Sequence, residues 1–199
     1  MLVFHLNLFP NLIRSASATT GGKSGRDQND SGESGETQGL VGHDWPLQGI
    51  CNSPFVAGNR VWYVTSRGTV VCVDTEGFHD GKNNGPFTSE PNENKDEADV
   101  IWEFDMMKEL RVSQHNMCSC SVTCAGDVLF VNTSNGVSFE HLNVPSPNAP
   151  SFIAMNRDTG KVLWTNKLPS TAILHGQWSS PTYGVLGGDP QVIFAGGDG

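Results

Sequence analysis

The chain has 199 residues, and its 21 acidic against 12 basic side chains give a formal net charge of −9. Such a surface repels phosphate backbones, which argues against a nucleic-acid partner, and no stretch reaches the roughly 18 apolar residues that a helical membrane span needs. With 23 Gly and 11 Pro, and many short apolar runs bounded by Gly, Pro, Asn and Asp, the composition points to an all-β protein.

Residues 1–13 are mostly apolar, interrupted by His5, Asn7, Pro10 and Asn11. No basic residue precedes them, yet Ala16-Ser17-Ala18 resembles a signal-peptidase site, so the segment reads either as a signal remnant or as a start inside a longer gene. From Arg14 to Gly39 there is no Leu, Ile, Val, Met or aromatic residue. Too little apolar surface is available there to offset the entropy of ordering, so 14–39 is expected to be a disordered Gly/Ser-rich linker. The folded part is expected over 40–199.

From there the sequence repeats. One unit opens at Ser53-Pro54, runs through Val61-Trp62-Tyr63-Val64 and Val70-Val71-Cys72-Val73-Asp74, and closes at Val100-Ile101-Trp102. A second opens at Ser121-Val122, runs through Val128-Leu129-Phe130-Val131 and Phe152-Ile153-Ala154-Met155-Asn156, and closes at Val162-Leu163-Trp164. The third opens at Ser180-Pro181 and reaches Val192-Ile193-Phe194-Ala195. The opening serines lie 68 and then 59 residues apart. Each unit has the pattern of one propeller blade, three or four short strands joined by tight turns. The expected architecture is a partial β-propeller of about two and a half blades of four-stranded antiparallel sheet, at 53–105, 121–167 and, incomplete, 180–199. A closed ring needs about four to eight blades, so the chain reads as a fragment of a propeller. Each full unit carries one insertion, about Glu76 to Asp99 in the first and Gly136 to Pro150 in the second. Glu90, Glu93, Asp96, Glu97 and Asp99 make the first insertion a solvated acidic loop, with a calcium site as the alternative.

The stretch from Ala154 to Trp164 (Ala154, Asn156, Thr159, Gly160, Lys161 and Trp164 at the defining positions) resembles the signature Ala-x-Asp-x-x-Thr-Gly-Lys-x-x-Trp of the PQQ-like (pyrroloquinoline-quinone repeat) β-propeller family, with Asn156 where Asp is usual. Asp158-Thr159-Gly160 supplies a tight turn, and small Ala154 leaves room for the Trp164 indole to lie against a neighbouring blade. Trp102 ends a degraded copy in the first unit. This resemblance implies a location in the periplasm or outside the cell, and either of two kinds of protein. One is a non-catalytic scaffold or binding module, partnered by the remaining blades or by another protein. The alternative is part of a PQQ-dependent quinoprotein dehydrogenase, with PQQ and Ca²⁺ as cofactors and the catalytic residues in other blades. The sequence has neither the adjacent Cys-Cys pair nor the C-x-x-C-H haem motif that such enzymes often carry, so no catalytic residue and no cofactor is expected in this piece.

Two sets of residues could carry chemistry. His115, Cys118, Cys120 and Cys124 offer zinc-type ligands, but the three cysteines share parity and would stand in a line on one strand face. A disulfide, for instance from Cys51, and buried free thiols are the other readings, and no metal is expected. The second set precedes the opening serines: His115, Asn116, His175, Gln177 and Trp178 lead into strands that line a propeller channel. They either hold a small ligand or peptide at the channel mouth, or satisfy one another and channel water.

Overall fold

The computed structural model describes residues 49–199, together with the backbone of two short strands at 2–6 and 13–15. Most of the linker expected over 14–39, and the start of the folded part at 40, lie outside the described residues.

The protein is all-β in architecture, a partial propeller of three antiparallel four-stranded sheets. Sheet one holds β3 (Phe55–Ala57), β4 (Arg60–Val64), β5 (Thr69–Asp74) and β6 (Val100–Asp105) in that order, followed by the one-turn helix α1 (Met106–Leu110). Sheet two holds β7 (Thr123–Ala125), β8 (Val128–Asn132), β9 (Phe152–Asn156) and β10 (Val162–Asn166). The first two strands of each are joined by a two-residue hairpin, Gly58-Asn59 or Gly126-Asp127, whose glycine has φ of 60° or 57°. Only a residue without Cβ takes that backbone shape at no steric cost, and it gives the hairpin the twist of its strands.

Register makes the two sheets equivalent position by position. In sheet one Phe55, Trp62, Cys72 and Trp102 lie side by side across the four strands; in sheet two the same row is Thr123, Phe130, Ala154 and Trp164. The opening serines are linked directly. The Ser121 hydroxyl accepts from the Ser53 amide at 2.9 Å, and the Ser180 hydroxyl accepts from the Ser121 amide at 2.9 Å.

Sheet three departs from the repeat. Its own unit supplies two strands, β11 (Thr182–Leu186) and β12 (Asp189–Phe194), as the half-blade reading expects. The other two come from the N-terminus: β1 (Leu2–Leu6) pairs with β12, and β2 (Ile13–Ser15) with β1.

Sheet two is buried on both faces, which explains its continuous apolar strands. Leu129, Val131, Ile153 and Met155 face Trp62, Val64, Val70, Cys72 and Trp102 of sheet one, while Phe130, Phe152 and Ala154 face Val192 and Phe194 of sheet three. Trp102 and Trp164 hold equivalent places, each turned toward the next sheet. Trp102 docks on the turn of the signature: its indole N–H and that of Trp62 both donate to the Arg157 carbonyl, at 3.0 and 2.8 Å. Gly160 (φ 67°) lies under that ring, where an added Cβ would come within 2.7 Å of the indole. Trp164 lies over Phe194 at 6.4 Å and is half-buried. Asn156 does the work of the usual Asp, its side-chain oxygen accepting from the Asp158 and Thr159 amides at 3.1 and 2.9 Å. An amide oxygen serves this turn as well as a carboxylate does.

Among the described residues no helix is long and apolar enough to cross a membrane.

Candidate functional site

Three connecting segments meet at one rim of sheet two. The lead into β7 runs alongside the loop after β8: the His115 amide donates to the Ser134 carbonyl at 3.2 Å and the Gly136 amide to the Ser113 carbonyl at 2.9 Å. The lead into β11 joins from the other side, where the Val137 amide donates to the His175 carbonyl at 2.8 Å. Gly136 sits at the crossing. A Cβ there would lie 2.4 Å from that of His115 and 2.8 Å from the His175 carbonyl, so only glycine lets the three segments close up.

At this crossing His115, His141 and His175 bring their imidazoles together. Ring centroids are 4.8, 4.5 and 4.7 Å apart, and the ring planes stand at 63° to 84° to one another. Nε2 of His175 lies 2.7 Å from Nε2 of His115 and 3.1 Å from Nε2 of His141. His115 is buried, whereas His141 and His175 are exposed. On its far side His115 Nδ1 meets the Val137 carbonyl at 3.0 Å. A carbonyl only accepts, so Nδ1 carries the proton and Nε2 presents its lone pair to the other two rings.

Local backbone conformation serves the same end. Asn116, Ser134 and His141 all take left-handed φ near 60° without being glycine. Such conformations cost about 1–3 kcal/mol each and persist where the surroundings hold them. His141 is placed by a tight loop in which its amide donates to the Ser138 carbonyl at 2.9 Å. Trp178 flanks the cluster, its indole 5.4 Å from the His175 ring and its N–H donating to the His115 carbonyl at 3.2 Å. Phe139, Leu142 and Leu174, neighbours in sequence of these groups, are exposed, Leu142 by 82% and Leu174 by 72%.

The structure sorts the residues read from the sequence. His115, His175 and Trp178 come together as expected. Gln177 does not face the rim; it is buried, its amide donating to the Asn135 carbonyl at 3.0 Å and the Ser151 hydroxyl at 2.8 Å. Asn116 is half-buried, and its carbonyl accepts from Gln114 at 3.3 Å. His141 was not legible from sequence, because it arrives on the insertion after β8 and no spacing ties it to residues 26 and 34 positions away.

All five cysteines are free thiols. Cys118 and Cys120 are buried in the seam between sheets one and two, both reaching the Asn132 carbonyl, and Cys124 lies on β7 with its thiol turned to the Gly126 carbonyl at 3.4 Å. A shared hydrogen bond lowers the Cys118 pKa, and with burial it holds Cys120 well above the ordinary thiol range. His115 faces the other histidines, so the four residues read as zinc-type ligands do not form one site. In the acidic loop between β5 and β6 Glu90 accepts from the Val100 amide at 3.3 Å, and Asp99, buried rather than solvated, accepts from the Asn84 amide at 2.9 Å. Among the described residues, only the three histidines form a group of His, Cys, Asp or Glu placed to share one ion, with all their ligand atoms within 4.8 Å of one another.

No known family profile matches the chain, and no curated protein matches it. Among solved structures the chain is similar to a europium-containing methanol dehydrogenase, at 16% identity and a TM-score of 0.38. The match covers 64% of this chain and 17% of that one, so the chain spans a small part of the length of that protein.

Proposed function

We propose that this chain is a non-catalytic binding module on a partial PQQ-like propeller, and that its ligand face is the histidine rim of sheet two. The observation that supports this reading is that three imidazoles and the Trp178 indole come from three connecting segments at one edge, while the strands serve packing. Rigid strands with chemistry carried on their connections are the usual division of labour in a binding scaffold. On this reading its partners are further propeller blades or another protein, in the periplasm or outside the cell.

The alternative, a quinoprotein dehydrogenase, requires PQQ and Ca²⁺. Calcium takes about six to eight oxygen ligands, whereas the donors that converge at this rim are imidazole nitrogens. The residues at the rim do not fit that ion.

The non-catalytic reading is tested by dye-linked alcohol and sugar oxidation after reconstitution of the chain with PQQ and Ca²⁺. No turnover above a buffer control is expected. Turnover by the purified chain would overturn the non-catalytic reading in favour of the dehydrogenase.

A further inference from the structure

We propose that His115, His141 and His175 form a three-histidine site for a zinc-class divalent cation. The inference rests on reading this rim as the ligand face, and it names the ligand that the rim takes.

The first argument is proton counting. A ring nitrogen carries either one proton or one lone pair, directed along one line in the ring plane. His175 Nε2 nevertheless has two nitrogen neighbours, His115 Nε2 at 2.7 Å and His141 Nε2 at 3.1 Å. One proton serves one such contact well and splits poorly between two. Because the Val137 carbonyl holds the proton of His115 on Nδ1, His115 Nε2 can only accept. A single cation at the shared point would draw one nitrogen from each ring.

The second argument is geometry. Zinc binds imidazole nitrogen at about 2.0–2.1 Å, which sets two tetrahedral ligands about 3.3 Å apart. His175 Nε2 lies 2.7 and 3.1 Å from the other two nitrogens, slightly closer than that, and all three ligand atoms lie within 4.8 Å of one another. The ring centroids already form a nearly equilateral triangle with steeply inclined planes, which is how rings stand when they radiate from one point.

The third argument is the surrounding shell. Histidine ligands of metals generally donate their other ring N–H to a carbonyl or carboxylate, which fixes the tautomer, and the Val137 carbonyl does this for His115. The packing that keeps Asn116, Ser134 and His141 at left-handed φ, and the close crossing at bare Gly136, set the segments before any ion arrives. Three neutral nitrogen donors suit zinc better than calcium or magnesium, which prefer oxygen. With three protein ligands, zinc keeps a fourth position for water or an incoming donor.

The test is titration of Zn²⁺ into the metal-stripped full chain by isothermal calorimetry, with Ca²⁺ titrated in parallel. One Zn²⁺ per chain and no Ca²⁺ is expected. His141→Ala and His175→Ala are the informative variants, because both side chains are exposed and their removal leaves the packed core alone. Each should weaken zinc by at least the roughly 10- to 100-fold that loss of an outer-shell partner costs, with the urea midpoint of the metal-free chain unchanged. Cys51→Ser and Cys124→Ser should bind as the parent does. Co²⁺ in place of zinc should give visible d–d absorption without a thiolate charge-transfer band. Failure to bind zinc, binding that survives both histidine variants, or binding lost in the cysteine variants would overturn the proposal. These failures would leave the rim free to take another ligand, whereas quinone-dependent turnover would overturn the binding-module reading whatever the zinc result.

Discussion

The seam between sheets one and two and the rim that carries the histidines are built on opposite terms. At the seam, buried apolar side chains from two sheets interlock, and two indoles share the Arg157 carbonyl. At the rim, connecting segments are pulled together through glycine and left-handed backbone, and unlike the seam the side chains that meet are polar and partly exposed. Stability is therefore concentrated in the seam and the proposed ligand chemistry in the rim, so substitutions should separate the two.

The largest effect is expected at the seam. Trp102→Ala removes a buried indole from the signature turn and should lower unfolding stability by about 3–5 kcal/mol, read from urea denaturation. Trp164→Ala, at the equivalent place in sheet two but only half-buried, should cost clearly less. An equal cost would mean that the two indoles are not distinguished by burial.

Gly136→Ala probes the crossing itself. Its Cβ would clash with both His115 and the His175 carbonyl, and overpacking of this kind costs typically about 1–3 kcal/mol. Here stability and the approach of the imidazoles should be lost together, seen as altered His115 and His175 signals in NMR spectra. Unchanged imidazole signals would break the link between the glycine and the cluster.

A smaller loss is expected along the serine chain. Ser121→Ala removes the hydroxyl that accepts from the Ser53 amide and should cost about 1 kcal/mol, measured by the same denaturation, with the rim unaffected.

The thiols give an effect confined to alkaline pH, and a sign. Burial pushes the Cys72 thiol from 9.0 up to about 12, so the folded chain favours its neutral form. That contribution is fully present below pH 9 and is lost as the pH rises toward 12, so the denaturation midpoint should fall across this window. Under native conditions a thiol reagent at pH 8 should label exposed Cys51 promptly and reach buried Cys72, Cys118 and Cys120 only after unfolding. Prompt labelling of Cys118 would show that the seam opens.

Sequence alone determined the strands and their equivalence. Apolar runs closed by Gly58-Asn59 and Gly126-Asp127, the opening serines, and the Thr159-Gly160 turn ahead of Trp164 are local patterns, and strand geometry follows from local pattern through a period of two and the demands of tight turns. The same repeats put His115, His175 and Trp178 in one region, since each precedes the first strand of a unit. Tertiary structure decided what repeats cannot encode. It turned Gln177 inward to satisfy the Asn135 carbonyl and brought His141 in on an insertion with no counterpart in the first unit. It also filled the third sheet with β1 and β2 from the far end of the chain. Each of these is a contact between segments distant in sequence, settled by which partner a backbone edge or a buried polar atom finds. No local pattern records that choice.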